Sequence, residues 1–167
     1  FDGTDDYISV PYSASLATTN LTVQAWLYTS STGQTNVGLI SRQKPDLDEY
    51  AYLLDLWYGK ACFSVWVDGT RYVVNSDVAL EADQWHNVIG TYDGSNIKIY
   101  INGTLNATVS AGGPMDSSSG GLWIGRKNQW GAHFTGNIDD VRIYDRALEA
   151  EEIEQMFTGI YTLYLDQ

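Results

Sequence analysis

The stretch Gly136-Asn137-Ile138-Asp139-Asp140-Val141-Arg142-Ile143-Tyr144 places two adjacent carboxylates inside an otherwise strand-like run. From Asp140 to Ile143, polar and apolar residues alternate with the two-residue period of a strand that has one buried face. This period puts Asp139 on the same side as Val141 and Ile143, and Asp140 on the other side. We therefore expect the Asp139 carboxylate to point towards the core, where it needs a partner.

Runs with similar character recur along the whole chain, and turn-forming pairs such as Asn102-Gly103, Asp68-Gly69 and Asp93-Gly94 separate some of them. Such pairs favour tight hairpins, because glycine and asparagine tolerate positive φ angles. The predicted strands cover residues 7–11, 21–28, 37–42, 50–57, 61–67, 70–75, 86–92, 96–101, 104–109, 122–125 and 137–144. Residues 147–157 show helical spacing of apolar side chains. The sequence predicts an all-β, antiparallel two-sheet β-sandwich with one short C-terminal helix.

The charge balance restricts the partners that this chain can have. Nine basic residues against 21 acidic ones give a net charge of −12, which repels nucleic acid and anionic lipid surfaces. An acidic excess is compatible with calcium, which prefers oxygen ligands. The only cysteine, Cys62, cannot form an intramolecular disulfide and is expected to be buried and inert. No apolar run is long enough to span a bilayer.

Six landmarks follow one another in a fixed order along the chain. They are Phe1-Asp2-Gly3, Leu21-Thr22-Val23-Gln24-Ala25-Trp26, Gln84-Trp85-His86-Asn87-Val88, Ile99-Tyr100-Ile101-Asn102-Gly103, Ile124-Gly125-Arg126 and the 138–144 strand. Together they resemble the laminin-G-like jelly rolls of the concanavalin A-like superfamily. The resemblance implies a domain over residues 1–157, with 158–167 as an edge strand or a linker. It also implies a lectin-like, non-catalytic module of a secreted or cell-surface multidomain protein.

The same resemblance implies a structural calcium ion that ties the N-terminal turn to the last strand. The matching positions are Asp2 and Asp139, with Asp5 and the backbone carbonyl of Thr4 as additional ligands. The alternative is that Asp2 and Asp5 only form hydrogen-bonded turns while Asp139 accepts backbone N–H groups. A second acidic cluster at residues 46–49 is either a rim calcium site or an exposed loop with local ion pairs.

Sugar-binding surfaces need flat aromatic rings beside a few polar groups that bond hydroxyls. Trp26 and Trp85 fall in the landmarks and are expected in the core, whereas Trp130 lies in a polar loop and is the first candidate for stacking. The polar candidates beside it are Arg126, Asn128, Gln129 and His133. A second candidate platform consists of Trp57, Tyr58 and Trp66, where strand period predicts that Trp66 faces outwards. In both places the alternative is ordinary packing against the sandwich.

Catalytic signatures are weak in this sequence. The paired-glutamate strand of retaining glucanases is absent, and Gln84-Trp85-His86 matches a lyase strand without the accompanying tyrosine and arginine signatures. A structural role for His86 is therefore favoured. We interpret the chain as a calcium-stabilised module that binds a polysaccharide or glycan, alongside other modules of an extracellular or cell-surface protein. A protein-interaction or adhesion domain is the alternative, and a polysaccharide lyase or hydrolase comes third.

Overall fold

A computed structural model of the chain describes residues 1–31, 33–43, 50–128 and 131–159, without the side chains of 128 and 131. The strands are β1 (Ile8–Val10), β2 (Leu21–Tyr28), β3 (Val37–Gln43), β4 (Tyr50–Trp57), β5 (Lys60–Val67), β6 (Thr70–Asn75), β7 (Trp85–Tyr92), β8 (Asn96–Ile101), β9 (Thr104–Ser110), β10 (Leu122–Ile124), β11 (Arg126–Asn128), β12 (Gly131–His133) and β13 (Asn137–Tyr144). One helix, α1, covers Ala150–Thr158, and a 3₁₀ turn covers Ala14–Leu16. Strands and helix agree closely with the predicted segments.

Two antiparallel sheets form the sandwich. The six-stranded sheet has the order β1-β10-β3-β4-β5-β6, and the five-stranded sheet has the order β13-β2-β7-β8-β9. Strands β11 and β12 pair separately as a small hairpin. Positive φ angles at Asp68-Gly69 and Asn102-Gly103 confirm two of the predicted tight turns. The predicted antiparallel β-sandwich is confirmed.

The core lies between the inner faces of the two sheets. Val23, Ala25 and Leu27 point inwards from the centre of the five-stranded sheet and are fully buried. Phe63 packs from the other sheet against Gly90, where a Cβ atom would lie 2.3 Å from the Phe63 ring. Each large apolar side chain buried in this way contributes about 1.5–3 kcal/mol. The two-residue period of the strands therefore accounts for the core.

Strand β13 departs from the predicted alternation at its two carboxylates. The pairing of β13 with β2 is interrupted between Asp139 and Arg142 by a β-bulge, and Asp140 has a φ of 47°. Ile138 lies before the bulge and packs against the core, so Asp139 points outwards and is exposed. The prediction that Asp139 faces the core was therefore wrong, because the bulge inserts one residue and reverses the side-chain parity.

Two landmark tryptophans lie on the outer face of the five-stranded sheet. Trp26 follows the inward Ala25 and precedes the inward Leu27, so its ring points away from the core. Trp85 begins β7 opposite Tyr28 and is 43% exposed. The expectation that both tryptophans are core residues was wrong. It rested on their apolar character, whereas the two-residue period of the strands turns both side chains to the outer face.

Helix α1 packs on the outer face of the five-stranded sheet. Leu148 and Ile153 pack there against Ile89 and Tyr100, which point outwards from β7 and β8. Glu149 and Glu152 form a capping box at the N-terminus of the helix. Within the described ranges, no helix has the length and apolar character that crossing a membrane requires.

The N-terminal segment contacts the segment that precedes β13. The Phe1 ammonium group donates to the Gly136 carbonyl at 2.9 Å, and Gly136 N–H donates back to the Phe1 carbonyl. The Phe1 ring packs edge-on against buried Phe134. Strand β1 pairs with β10, and β13 pairs with β2, so each sheet joins strands from distant parts of the sequence. The tail at 160–167 lies outside the described residues, so its role as edge strand or linker stays a prediction.

Candidate functional site

The β11–β12 hairpin lies across the outer face of the six-stranded sheet, next to β3. The Ser41 hydroxyl donates to the Arg126 carbonyl at 2.9 Å. Gly38 allows this close approach, because a Cβ atom there would lie 2.5 Å from the Arg126 carbonyl and from the Lys127 nitrogen. A glycine in β3 thus determines how closely the hairpin sits on the sheet.

A cavity of about 160 Å³ opens beside this hairpin on the same face, and we call it the Asp55 cavity. Strands β4, β5 and β6 form its floor, because alternate residues of these strands point away from the core. The lining residues are Asp55, Trp57, Cys62, Arg71, Val73 and Asn75. The cavity therefore combines one aromatic ring with acidic, basic and amide groups.

Asp55 is the buried polar centre of the cavity, with an exposure of 1%. Its Oδ2 atom accepts from Lys127 Nζ at 2.8 Å, and Lys127 also donates to Asn36 Oδ1. Oδ1 of Asp55 has no hydrogen-bond partner among the described residues. Burial raises the pKa of Asp55, and the neighbouring Lys127 acts against that rise. A buried carboxylate oxygen without a donor is costly, so Asp55 Oδ1 is an acceptor with unmet hydrogen-bonding capacity in the wall of the cavity.

Two exposed rings pack together in the β4–β5 turn, and one of them, Trp57, lines the cavity. Trp57 is 47% exposed and Tyr58 is 66% exposed, and the rings pack edge to face with centroids 5.4 Å apart. Lys127 Nζ lies 5.9 Å from the centre of the Trp57 ring, close enough for a cation–π contact. Tyr58 and Gly59 both have positive φ angles in the β4–β5 turn. The structure thus brings the predicted residues Trp57 and Tyr58 together.

The third predicted member of that platform, Trp66, is covered. Its ring points outwards as the strand period predicts, but it is only 9% exposed. Tyr50 packs against it at a centroid distance of 5.2 Å, and the Arg71 guanidinium lies 5.4 Å from the ring centre. Arg71 also donates to the Ser64 hydroxyl at 2.9 Å. Trp66 is therefore unavailable for stacking and instead orients Arg71, because side chains of neighbouring strands cover it.

The other predicted polar residues lie on the hairpin, towards the N-terminal segment. The Arg126 guanidinium lies 4.6 Å from the centre of the Tyr7 ring and 4.7 Å from that of Trp123. His133 Nδ1 is hydrogen-bonded to the Asp6 carbonyl oxygen at 3.1 Å. Trp130, Gln129 and the Asn128 side chain lie outside the described residues, as does the acidic cluster at 46–49. Their predicted roles stay predictions.

The ion pair between Lys127 and Asp55 joins the β11–β12 hairpin, which carries Arg126 and His133, to the sheet face that carries Trp57. Sequence reasoning missed both residues of this ion pair. The signal for Asp55 was present, because a single carboxylate stands among apolar residues in β4. Lys127 gave no comparable signal, since a lysine in a polar loop is ordinarily exposed.

The Cys62 thiol, which lines the cavity, is unreactive near pH 7. Burial and the nearby Asp55 carboxylate raise the pKa of Cys62 to about 12. Cys62 therefore stays a neutral thiol near pH 7 and is a poor nucleophile.

The predicted metal residues are only partly brought together. Asp2, Asp5 and Asp6 place one carboxylate oxygen each within 4.8 Å of one another. Asp2 Oδ1 accepts from the Thr4 N–H at 2.7 Å, and this bond lowers the pKa of Asp2. Asp139 is not a member of the group, because it lies on the outer face of the five-stranded sheet. Asp6, in contrast, was not among the predicted ligands.

Comparison with solved structures identifies similar folds at low sequence identity. Domain 4 of AbnA, an extracellular arabinanase from Geobacillus stearothermophilus in complex with arabinotriose, has a TM-score of 0.74 and 18% identity, over 93% of this chain and 74% of that one. A Bacteroides ovatus protein assigned as carbohydrate-binding has a TM-score of 0.73 and 21% identity. The match covers 92% of this chain and 45% of that one. The CBM40 of the Ruminococcus gnavus IT-sialidase, bound to α2,3-sialyllactose, has a TM-score of 0.72 and 17% identity. The match covers 94% of this chain and 97% of that one.

Sequence comparison with curated proteins gives no match. In contrast, the family model of the concanavalin A-like lectin/glucanases superfamily matches residues 2–154, which is most of the chain. This match agrees with the two-sheet jelly-roll architecture and with the landmarks at both ends of the sequence. The chain therefore belongs to the concanavalin A-like lectin/glucanase superfamily.

Proposed function

We propose that this domain binds carbohydrate in the Asp55 cavity and does not itself cleave it. The observation that carries the proposal is the buried Asp55 Oδ1 atom, which lacks a donor among the described residues and lies in a cavity edged by Trp57. A sugar matches both features, because its hydroxyl groups can donate to Asp55 and its CH face can pack on the Trp57 ring. Solved neighbours that bind arabinotriose and sialyllactose support the same use of this fold.

The groups around the cavity define how a sugar would be held. Asp55 would accept one hydroxyl, and Arg71 and Asn75 would bond others, while Trp57 and Tyr58 would pack against the ring. Lys127 already neutralises much of the Asp55 charge at 2.8 Å. The buried side chains are fixed by their neighbours, so little rotamer freedom would be lost on binding. We assign this module to a secreted or cell-surface protein with further domains.

The number of carboxylates that line the Asp55 cavity supports binding without catalysis. Glycoside hydrolysis by the usual mechanisms requires two carboxyl groups on either side of the bond. Among the described lining residues, Asp55 is the only carboxylate, and it is paired with a lysine, Lys127. A second acid at the required position is thus missing from the described part of the cavity.

A glycan array that includes arabinotriose and α2,3-sialyllactose tests this function. We expect saturable binding, and we expect Trp57→Ala to weaken it by about tenfold, because stacking on one ring contributes about 1–1.5 kcal/mol. Tyr12→Ala is the matched control, since Tyr12 is a similarly exposed aromatic residue that does not line the Asp55 cavity. Absence of binding by the folded protein, or equal losses in the two variants, would contradict the proposal.

We further propose that calcium stabilises the N-terminal turn through Asp2, Asp5 and Asp6. Their oxygens lie within 4.8 Å of one another, and a calcium ion about 2.4 Å from each oxygen spans that separation. All three carboxylates are exposed, so they can approach an ion without large rearrangement. The ion would supply the positive charge that offsets their mutual repulsion.

Thermal unfolding with calcium and with a chelator tests this second site. We expect the melting temperature to rise with calcium, because an ion that binds only the folded state stabilises it by mass action. Asp5→Asn should abolish most of the rise, whereas Asp139→Asn should leave it intact. A calcium effect lost only in Asp139→Asn would instead support the ligand pair expected from the family resemblance.

A further inference from the structure

A row of aromatic rings lies on the outer face of the five-stranded sheet, on the opposite side of the sandwich from the Asp55 cavity. The Phe157 ring stacks on Trp26 with centroids 5.7 Å apart and an interplanar angle of 19°. Tyr28 follows two residues along β2, and its ring lies 5.8 Å from that of Trp85. We call these four residues the aromatic stripe. Trp85 and Phe157 are 43% and 38% exposed.

Two carboxylates border this stripe. An open hollow of about 370 Å³ is lined by Trp26, Trp85, Asp139 and Asp140. Asp140 is held by Arg142 Nε at 2.8 Å, so its charge is already compensated. Asp139 accepts one hydrogen bond, from the Asp140 N–H at 2.7 Å, and has no cationic partner within the described ranges. The hollow therefore presents two indole rings and one uncompensated negative charge.

We propose that this hollow binds a polysaccharide whose sugars carry free amino groups. The CH face of a pyranose would pack on Trp85, with Trp26 beside it in the hollow, and the protonated amine would pair with Asp139. An ammonium group is attracted both by a carboxylate and by the face of a tryptophan ring. The protein's net charge of −12 adds a long-range attraction for a cationic polymer.

The position of the hollow favours a sugar polymer over a basic peptide. Trp26 lies on β2, whose backbone is paired on both sides with β13 and β7. A peptide placed there could not add a strand to the sheet and would contribute side-chain contacts alone. A sugar instead needs one exposed ring face beside a polar partner, which Trp85 and Asp139 supply in this hollow. This site goes beyond the proposed function, because it uses another sheet and requires a charged ligand.

Calorimetric titration with a glucosamine hexamer tests the inference, with the N-acetylglucosamine hexamer as its neutral counterpart. We expect the amine form to bind and the acetylated form to bind at least about tenfold more weakly, as loss of the ion pair and cation–π contacts implies. Asp139→Asn should reduce binding of the amine form by about tenfold and leave the acetylated form unchanged. Trp85→Ala should weaken both.

The control variant for this experiment is Tyr12→Ala, an exposed aromatic residue that lines neither cavity and should bind the glucosamine hexamer like the wild type. Failure of this site and failure of the Asp55 cavity are distinguishable, because Trp85→Ala and Asp139→Asn act on one face of the sandwich and Trp57→Ala acts on the other. Equal affinity for the two hexamers, or no effect of Asp139→Asn in a folded variant, would overturn the inference. Tighter binding of polylysine, lost in the same variants, would also overturn it and assign the hollow to a basic peptide.

Discussion

Asp55→Asn is expected to abolish most sugar binding in the Asp55 cavity and also to destabilise the fold. A hydrogen bond to a charged group contributes about 1.5–3 kcal/mol, so its loss should weaken binding by about ten- to a hundredfold. Removing one member of a buried ion pair costs about 3–5 kcal/mol, because the remaining charge is uncompensated. The Asp55 and Lys127 side chains are only 1% and 11% exposed, so this cost applies.

The double variant Asp55→Asn/Lys127→Met separates the effect on binding from the effect on folding. It removes both charges, so the free energy of unfolding measured with urea should return towards the wild-type value. Sugar binding, measured by calorimetry, should stay lost. Wild-type affinity in a folded double variant would show that Asp55 is not the sugar acceptor.

The pH dependence of binding gives an independent check on the same residue. Burial raises the pKa of Asp55, so its carboxylate becomes a neutral acid at a higher pH than an exposed aspartate does. Wild-type affinity should therefore fall as the pH is lowered through that raised pKa, because the acceptor gains a proton. Residual binding by Asp55→Asn should lack this decline.

Gly38→Ala is expected to disable the same cavity from a position outside it. The added methyl group would lie 2.5 Å from backbone atoms of Arg126 and Lys127, and backbone cannot rotate away as a side chain can. Overpacking of this kind costs about 1–3 kcal/mol. The β11–β12 hairpin must move outwards, which draws Lys127 away from Asp55. We expect lower stability by urea unfolding and loss of sugar binding together.

Gly112→Ala is the matched control for this change. It is the same substitution, and nothing lies within 4 Å of the position that its Cβ would occupy. Stability and binding should both stay close to those of the wild type. If Gly38→Ala behaves like Gly112→Ala, the hairpin does not determine the geometry of the cavity.

The sheet architecture could be predicted because strand period and turn chemistry are local properties. The run Ile97-Lys98-Ile99-Tyr100-Ile101 alternates clearly, and Asn102-Gly103 forms the turn that its residue types favour. The direction of Asp139 could not be predicted in the same way. The bulge puts Ile138 out of phase with Val141 and Ile143, and counting back from these two residues without a bulge gave the wrong face for Asp139.

The candidate site was predictable only in its exposed aromatic part. Trp57 and Tyr58 precede a turn glycine, which placed them correctly at a loop. The pairing of Asp55 with Lys127 joins residues 72 positions apart, and no local rule relates them. For Trp66 the outward direction of the side chain was predicted correctly. Its burial under Tyr50 and Arg71 was not, because that burial depends on tertiary packing.

The contact between the N-terminal segment and the segment that precedes β13 has a consequence for folding kinetics. Phe1 is hydrogen-bonded to Gly136, β1 pairs with β10, and β13 completes the five-stranded sheet beside β2. Neither sheet can close until residues far apart in the chain have found each other. Topologies with such distant contacts fold slowly, in about milliseconds to seconds for small domains. During synthesis, strand β2 must therefore wait with one open edge until the β13 segment has left the ribosome.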